Sequence, residues 1–309
     1  MNVPTARRHL TVVEEVERKA ALIAELETLP NATVTVGPED PSAKTLSVPR
    51  SAVVYEPVPL PSVHDAVMAV HEGRVERALV PIENSLEGAV NATLDALAFE
   101  TDDVQITGEL VHAIHHCLIA REPVSLDRIA AVASHPQASG QCATFLRTRL
   151  ARASVVTAAS TADAVRLVAE RENGEPWAAL GSRAAAELYG CSVLASDVED
   201  PPGSETRFVW IAREAPDPSA GGAWKTALMF WEPADDRPGW LVRCLAEFAD
   251  RQVNLTRIES RPRRRGLGTY MFFVDLDGRA QDPPVAQAID ALRSHASGVR
   301  VLGSFPAAP

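Results

Sequence analysis

The chain has 309 residues, of which 46% are hydrophobic, and a formal net charge of −11. This length is enough for two or three compact units, and no apolar run approaches the 18 residues of a membrane-spanning helix. Residues 1–215 contain 18 Lys or Arg against 30 Asp or Glu, whereas residues 216–309 contain 12 against 11. Because the first segment is acidic, we do not expect a nucleic acid as a partner. The lack of a long apolar run argues against association with a membrane.

The cysteines indicate a reducing compartment. They lie far apart, without a C-x-x-C pair, at Cys117, Cys142, Cys191 and Cys244. This spacing argues against a metal cluster and predicts free thiols. The N-terminus lacks the apolar core of a signal peptide, so we expect a cytoplasmic protein.

The first part of the chain combines a predicted helix with short strands. Residues 1–32 are expected to form a mostly helical extension, because apolar residues recur at helical spacing through 11–29. A strand at 33–36 and an edge-like strand at 53–60, which contains two prolines, follow. Ser62 is then predicted to cap a helix.

A buried strand at 78–82 ends in the polar triplet Glu83-Asn84-Ser85. Asn84, with Glu87 three residues later, forms a capping-box pattern, so we expect a helix to begin at Asn84. A helix N-terminus at the end of a strand can bind an anion. Two roles therefore stay open for Asn84, which are capping a helix and binding an anionic ligand.

Further turns from strand to helix are predicted within residues 111–189. They carry polar residues at Ser134, at Ser160 and Thr161, and at Ser182. A helix at 141–150 is expected to follow the first of them. Such turns predict a cleft between two α/β units in which backbone N–H groups bind carboxylates.

Residues 200–208 place a hydroxyl and a guanidinium after a rigid turn. Two prolines and Gly203 disfavour a helix, and Thr206 and Arg207 lead into an apolar strand. Taken alone, such a Thr is more often a packing residue and such an Arg a solvated charge. A linker at 214–224 follows, and a β-α-β-β-α-β pattern at 225–305 is typical of a ferredoxin-like domain.

Four stretches, in chain order, resemble the prephenate dehydratase family with a regulatory ACT domain. They are 80–90 (VPIENSLEGAV), 134–142 (SHPQASGQC), 200–208 (DPPGSETRF) and 258–262 (IESRP). The resemblance covers roughly residues 33–305. It implies an α/β fold with a periplasmic-binding-protein-like catalytic unit of two subdomains, 33–110 with 190–213 and 111–189, followed by a ferredoxin-like ACT domain.

The resemblance also implies a lyase of phenylalanine biosynthesis that needs no metal or other cofactor. Thr206 would be the proton-donating group. Prephenate would be held by Glu83, Asn84, Ser85, Ser134, Gln141, Ser160, Thr161 and Arg207. The effector phenylalanine would be bound by Gly239, Leu241, Asn254, Glu259, Ser260, Arg261 and Pro262 in a homodimer or homotetramer.

Several positions depart from the family pattern. Asp40, Pro41 and Ser42 replace a conventional glycine-loop motif, and Pro201 and Ser204 stand where the family has asparagines. Two alternatives therefore stay open. One is a related enzyme, either a prephenate decarboxylase or an arogenate dehydratase, and the other is a catalytically silent amino-acid sensor.

Trp240 is a further departure, because the family usually has an alanine after Gly239. The indole can fill the effector pocket or turn into the core of the domain. We expect it to pack against a partner chain and to make the enzyme less sensitive to phenylalanine.

Overall fold

The computed structural model describes residues 8–13, 32–34, 53–60, 62–172, 174–200, 203–232 and 238–308. The chain forms two compact units. The first comprises Met1–Pro61 and His112–Thr206, and the second comprises Ser62–Val111 and Arg207–Pro309. The chain thus passes from one unit to the other between Thr206 and Arg207.

The strands of the described residues are β1 Arg8–Val13, β2 Ala32–Val34, β3 Val53–Leu60, β4 Arg77–Asn84, β5 Gly88–Ala89, β6 Gln105–Ile114, β7 Cys117–Ala120, β8 Ala131–Ser134, β9 Ser154–Thr157, β10 Trp177–Gly181, β11 Ser192–Ala195, β12 Ser204–Ala212, β13 Trp224–Trp231, β14 Leu255–Pro262, β15 Tyr270–Asp277 and β16 Gly298–Pro306. The α-helices are α1 Val63–His71, α2 Asn91–Asp95, α3 Pro136–Gln141, α4 Ala143–Arg149, α5 Thr161–Ala169, α6 Arg183–Leu188, α7 Trp240–Ala249 and α8 Pro283–His295. A π-helical turn, Ala96–Glu100, continues α2, and a 3-10 turn spans Leu126–Arg128. None of these described helices has the length and apolar character needed to cross a membrane.

The first unit contains a five-stranded sheet in the order β11-β7-β10-β8-β9. Adjacent residues of its strands point to opposite faces, and both faces of the three central strands, β7, β10 and β8, are buried. Ile119 and Ala179 pack in one apolar cluster with α5 and α6, whereas Leu118 and Leu180 pack in another with α4. Coverage on both faces explains why these strands are almost continuously apolar.

The strand β1 corrects the prediction of a helix from residue 11. Thr11, Val12 and Val13 are β-branched residues, which favour strands, and β1 pairs in parallel with β3. The rest of the predicted helix lies outside the described residues.

The strand β3 was predicted to lie at the edge of a sheet. This prediction is wrong for the first part of β3, which lies between β2 and β1. The pairing with β2 ends at Tyr55. In the pairing that the structure describes, Pro57 and Pro59 therefore face only β1, as their missing N–H groups require.

In the second unit, β4, the part of β12 from Arg207 onward and the part of β6 up to Val111 are neighbours in one sheet. The predicted cap on α1 is confirmed, because Ser62 Oγ accepts a hydrogen bond of 3.1 Å from the N–H of Asp65. A second sheet has the order β14-β15-β13-β16, and α7 and α8 pack together against it. The predicted α/β class and the ferredoxin-like order are therefore confirmed.

The ferredoxin-like sheet packs against residues 62–111 within the same unit. A Cβ atom on Gly303 would lie 2.1 Å from the backbone oxygen of Ile106, so the close approach requires glycine. Arg300 donates hydrogen bonds to the carbonyl groups of Leu97 (2.8 Å) and Thr101 (2.6 Å). The ferredoxin-like domain therefore contacts the backbone of residues 62–111, the segment that carries β4.

Candidate functional site

The polar triplet after β4 lies in a β-hairpin. Asn84 ends β4 and faces Gly88 of β5, so the prediction of a helix beginning at Asn84 is wrong. Its Oδ1 accepts hydrogen bonds from the N–H groups of Leu86 (2.9 Å) and Glu87 (3.2 Å). Asn side chains commonly close turns in this way, and Gly88, at φ +80°, supplies the left-handed conformation that completes the turn.

Two substitutions at Asn84 separate closing the turn from binding the substrate. Asn84→Asp keeps an acceptor for the turn but removes the amide donor, whereas Asn84→Ala removes both. If the amide binds a substrate carboxylate, both variants should raise the KM for that substrate at least about tenfold, the value of a hydrogen bond to a charged group. Only Asn84→Ala should lower the melting temperature. An unchanged KM in Asn84→Asp would limit Asn84 to the turn.

Ser134 and Gln141 lie at the two ends of one short helix. The helix α3 begins at Pro136, five residues before the predicted start, because proline is tolerated in the first helical turn. His135 caps it through its ring nitrogen. Ser134 is buried, and its Oγ donates a hydrogen bond of 3.0 Å to the carbonyl oxygen of His135. Gln141, the last residue of α3, is half-buried.

The amide of Gln141 is oriented by residues that sequence reasoning missed. His116 Nε2 lies 2.8 Å from Gln141 Oε1, and the backbone N–H of His116 donates to Glu199 Oε2 at 2.9 Å. With the proton on Nε2, the Gln141 amide oxygen is engaged and its NH2 group points away as a donor. His115 Nδ1 lies 2.9 Å from Asp197 Oδ1 and 3.2 Å from Glu199 Oε1. From the sequence, only the adjacent histidines His115 and His116 could be recognised, because their acidic partners lie more than 80 residues away in the chain.

The predicted turn at Ser160 caps its helix as expected. Ser160 Oγ accepts a hydrogen bond of 3.0 Å from the N–H of Asp163, and Ser182 likewise accepts one of 3.1 Å from Ala185. Thr161 is buried in the first turn of α5. Both Ser160 and Thr161 thus have structural roles, and their binding of a substrate stays a prediction.

Thr206 lies on a buried face of β12. Burial alternates along the start of the strand, so that Ser204, Thr206 and Phe208 are buried while Glu205 is exposed. Thr206 is 3% exposed. Within the described residues, Ser204 Oγ has no hydrogen-bond partner. Two buried hydroxyl groups therefore lie two residues apart on one face, where water cannot compete freely for their hydrogen bonds.

Arg207 points to the opposite face of β12 and contacts three carboxylates. Its Nε lies 3.1 Å from Glu83, its Nη1 lies 2.9 Å from Glu109, and its Nη2 contacts Asp275. Burial disfavours the guanidinium charge, but Asp275 and Glu109 nevertheless raise the pKa of Arg207 above its ordinary value. The predicted substrate holders Glu83 and Arg207 are thus paired with each other.

The four cysteines are free, as predicted, and three of them are buried. Burial raises the pKa of Cys142 to about 12 and that of Cys244 to about 11. Burial also raises the pKa of Cys117 and Cys191. Thiolate nucleophiles are therefore disfavoured at all four positions near neutral pH.

Trp240 turns into the core of the ferredoxin-like domain. Its indole Nε1 donates a hydrogen bond of 2.7 Å to the carbonyl oxygen of His295, and its ring contacts Phe230 and Phe272. The side chain is 7% exposed in the single chain. The prediction that it packs against a partner chain is therefore wrong, and the expected loss of sensitivity to phenylalanine no longer has a structural basis. Gly239, at φ +79°, begins this helix.

The other predicted effector residues of this domain lie on α7, before β14 and in β14. Leu241 packs partly buried against the core, and Asn254 donates a hydrogen bond of 2.8 Å to Asp277. Within β14, burial alternates between half-buried and exposed residues.

Arg261 is the residue of β14 with the clearest contact. Glu259 and Arg261 are half-buried, whereas Ser260 and Pro262 are exposed. The guanidinium of Arg261 binds both carboxylate oxygens of Asp95, at 3.2 and 2.7 Å. A forked pair of this kind fixes orientation as well as distance.

The predicted substrate and catalytic residues are divided between the units. The first unit contains Ser134, Gln141, Ser160, Thr161 and Thr206, and the second contains Glu83, Asn84, Ser85 and Arg207. The departures Asp40, Pro41, Ser42 and Pro201 lie outside the described residues.

Comparisons with known proteins identify the same family along most of the chain. The sequence model of the prephenate dehydratase family matches residues 44–216, and that of the ACT domain matches residues 234–294. A prephenate dehydratase of Mycolicibacterium vanbaalenii is 41% identical over 250 residues, which cover 81% of this chain and 78% of the relative.

Solved structures show the same likeness. The prephenate dehydratase of Arthrobacter aurescens, in complex with L-Phe, has a TM-score of 0.77 and 34% identity, with 96% of this chain and 90% of that chain covered. GqqA, described as a novel type of quorum quenching acylase, has a TM-score of 0.76 and 27% identity, with coverage of 98% and 99%.

Proposed function

Because the chain belongs to the prephenate dehydratase family, we propose that it converts prephenate to phenylpyruvate with Thr206 assisting the departure of the hydroxyl group. The observation that supports this role for Thr206 is its burial on β12, beside a second buried hydroxyl at Ser204. The higher identity to a prephenate dehydratase than to the acylase favours the dehydratase reaction.

The reaction requires the protein mainly to position the substrate and to supply one proton to the leaving hydroxyl group. Prephenate carries a ring carboxylate, a pyruvyl side chain and a hydroxyl across the ring. As the carboxylate leaves as carbon dioxide, its bonding electrons complete the aromatic ring and expel the hydroxyl, which takes up a proton and leaves as water. Aromaticity supplies the driving force, so the enzyme must position the molecule, protonate the leaving group and exclude water.

Thr206 supplies a hydrogen bond to the departing hydroxyl. A Thr hydroxyl is a very weak acid, so its role is to donate this hydrogen bond and relay a proton rather than to ionise. Such a group contributes typically about 10²- to 10⁴-fold in rate when it is correctly placed. Its burial supports this role, because a buried donor loses less of its strength to water.

The donors for the substrate carboxylates are neutral side chains. Asn84, Ser134 and Gln141 offer amide and hydroxyl groups, and we assign Ser85, Ser160 and Thr161 to the same set. Residues 1–215 carry a net negative charge, which does not attract an anion. Local hydrogen-bond donors must therefore bind the anionic substrate. Glu83 and Arg207 act on the substrate indirectly, since each is engaged by the other.

Phenylalanine is the proposed effector of the ferredoxin-like domain. The match to the ACT domain and the L-Phe complex of the Arthrobacter aurescens relative support this assignment. Gly239, Leu241 and Asn254 with the Glu259–Pro262 segment would form the binding site. We propose that the assembly is a homodimer or homotetramer, as expected for a site shared between copies.

Parallel assays with prephenate and arogenate test the proposed substrate. We expect phenylpyruvate from prephenate with the higher kcat/KM, and little phenylalanine from arogenate. A preference for arogenate would reassign the substrate within the same chemistry. Turnover of neither compound, with a folded protein that still binds phenylalanine, would favour the silent sensor.

A further inference from the structure

Arg207 belongs to a largely buried network of three acidic and three basic side chains, of which Glu83, at 38% side-chain exposure, is the most exposed. Besides Glu83, Glu109 and Asp275, which contact Arg207, the network contains Lys225 and Arg257. Glu109 accepts a hydrogen bond of 2.8 Å from Lys225, and Asp275 accepts one of 2.9 Å from Arg257. The charges balance, as expected where ionised groups are removed from water.

Asp275 is the residue of the ferredoxin-like domain that contacts Arg207 itself, whereas Lys225 joins the network through Glu109. Asp275 lies in β15, where Val274 and Leu276 on either side face the apolar core beneath α7 and α8. Asp275 points to the opposite face of the sheet and is 1% exposed. An ionised carboxylate at such a position needs opposite charges, and Arg207 and Arg257 are its partners.

Burial by itself would raise the pKa of Asp275, but the charges of Arg257 and Arg207 hold that pKa below its ordinary value. The carboxylate is therefore ionised at neutral pH, and its pairing with Arg207 persists under the conditions of catalysis.

Arg207 connects this carboxylate to the catalytic strand. It follows Thr206 directly in β12, and its Nε also binds Glu83 at 3.1 Å, one residue before Asn84. One guanidinium thus joins β15, β12 and the end of β4 at fixed distances. A displacement of about 1 Å in a catalytic group can reduce the rate 10²-fold, so the anchoring of Arg207 bears directly on the position of Thr206.

We propose that Asp275, in the ferredoxin-like domain, is a positioning residue for the dehydration, because it anchors Arg207 and through it the segment of β12 that carries Thr206. The inference rests on the proposed role of Thr206. It gives the ferredoxin-like domain a direct part in basal catalysis, separate from the binding of an effector.

Asp275→Asn tests this inference in the full-length protein without phenylalanine. The substitution keeps the shape of the side chain but removes its charge, so the anchor on Arg207 weakens. We expect kcat to fall roughly 10- to 100-fold, as for a misplaced catalytic group, with a KM change of less than about threefold.

Two matched variants separate positioning from a general loss of stability. Trp240→Phe removes a hydrogen bond to His295 within the same domain but touches neither Arg207 nor its carboxylates, so it should lower the melting temperature while kcat stays near that of the unmodified protein. Asp290→Asn makes the same chemical change on the exposed surface of α8, where Asp290 pairs with Arg293, and should change neither quantity.

Hydrogen exchange of the peptide covering 204–212 provides a readout that does not need turnover. We expect faster exchange there in Asp275→Asn than in Trp240→Phe. If the unmodified protein turns over prephenate and Asp275→Asn has the same kcat, the positioning role is wrong. If the unmodified protein shows no turnover, the proposed function fails, and equal exchange in the two variants would overturn the anchoring of β12 independently.

Discussion

Thr206→Ala should lower kcat for prephenate by roughly 10²- to 10⁴-fold. The substitution removes the hydroxyl that donates a hydrogen bond, and relays a proton, to the leaving hydroxyl of the substrate. The contact acts mainly in the transition state, where negative charge develops on the departing oxygen. Removing an interaction of this kind lowers kcat and kcat/KM together and leaves KM almost unchanged. Steady-state kinetics over a range of prephenate concentrations measures both quantities.

Thr206→Ser is the matched control, since it keeps the hydroxyl and removes only a methyl group. It should retain most of the activity, whereas Thr206→Val, which keeps the shape and lacks the hydroxyl, should behave like Thr206→Ala. Equal rates for the unmodified protein and Thr206→Val would remove Thr206 from the mechanism. The melting temperature of each variant shows whether burial of the altered side chain affects folding.

Trp240→Ala should destabilise the protein by about 3–5 kcal/mol, the usual effect of emptying a large aromatic site in a core. The indole is buried against Phe230 and Phe272 and donates a hydrogen bond to the carbonyl oxygen of His295. All of these contacts disappear in the variant, and the carbonyl loses its donor as well. Urea unfolding followed by a probe in the ferredoxin-like domain measures the loss.

Trp240→Phe is the informative comparison, because it preserves most of the packing but not the hydrogen bond. It should lie between the unmodified protein and Trp240→Ala in stability. Phenylalanine titration provides the second readout. Unaltered stability in Trp240→Ala, together with stronger inhibition, would show that the indole occupies the effector pocket instead of the core.

Local signals were enough to predict several elements of the fold. Ser62, Ser160 and Ser182 each cap a helix, because an N-cap is decided by one side chain and an N–H group three residues later. The order of strands and helices in residues 224–306 was also predictable, because its signals are local in the sequence. Its apolar runs are long and are separated by clear turns.

The turn at Asn84 shows where local reasoning fails. An Asn followed three residues later by Glu fits a capping box, but the same Asn side chain can close a hairpin turn. The choice depends on whether the chain pairs back onto β4, and Gly88 permits it to do so. A local spacing cannot reveal that pairing.

Charge partners were the least predictable part of the candidate site. Arg207 and Asp275 are 68 residues apart, and each is flanked by strand residues that indicate only a β-strand. An isolated Asp in the apolar run of β15 was a signal for a buried ion pair, but the sequence does not say which cation it meets. The direction of the Trp240 indole likewise depended on His295, a residue of another helix.

The stoichiometry of products from prephenate tests the central claim most directly. The purified protein is incubated with prephenate near neutral pH, where spontaneous aromatisation is subtracted with a sample of Thr206→Ala. We expect one phenylpyruvate and one carbon dioxide for each prephenate consumed. Carbon dioxide with a non-aromatic product that retains the hydroxyl would contradict the account and identify a decarboxylase, and consumption no faster than in the Thr206→Ala sample would contradict it equally.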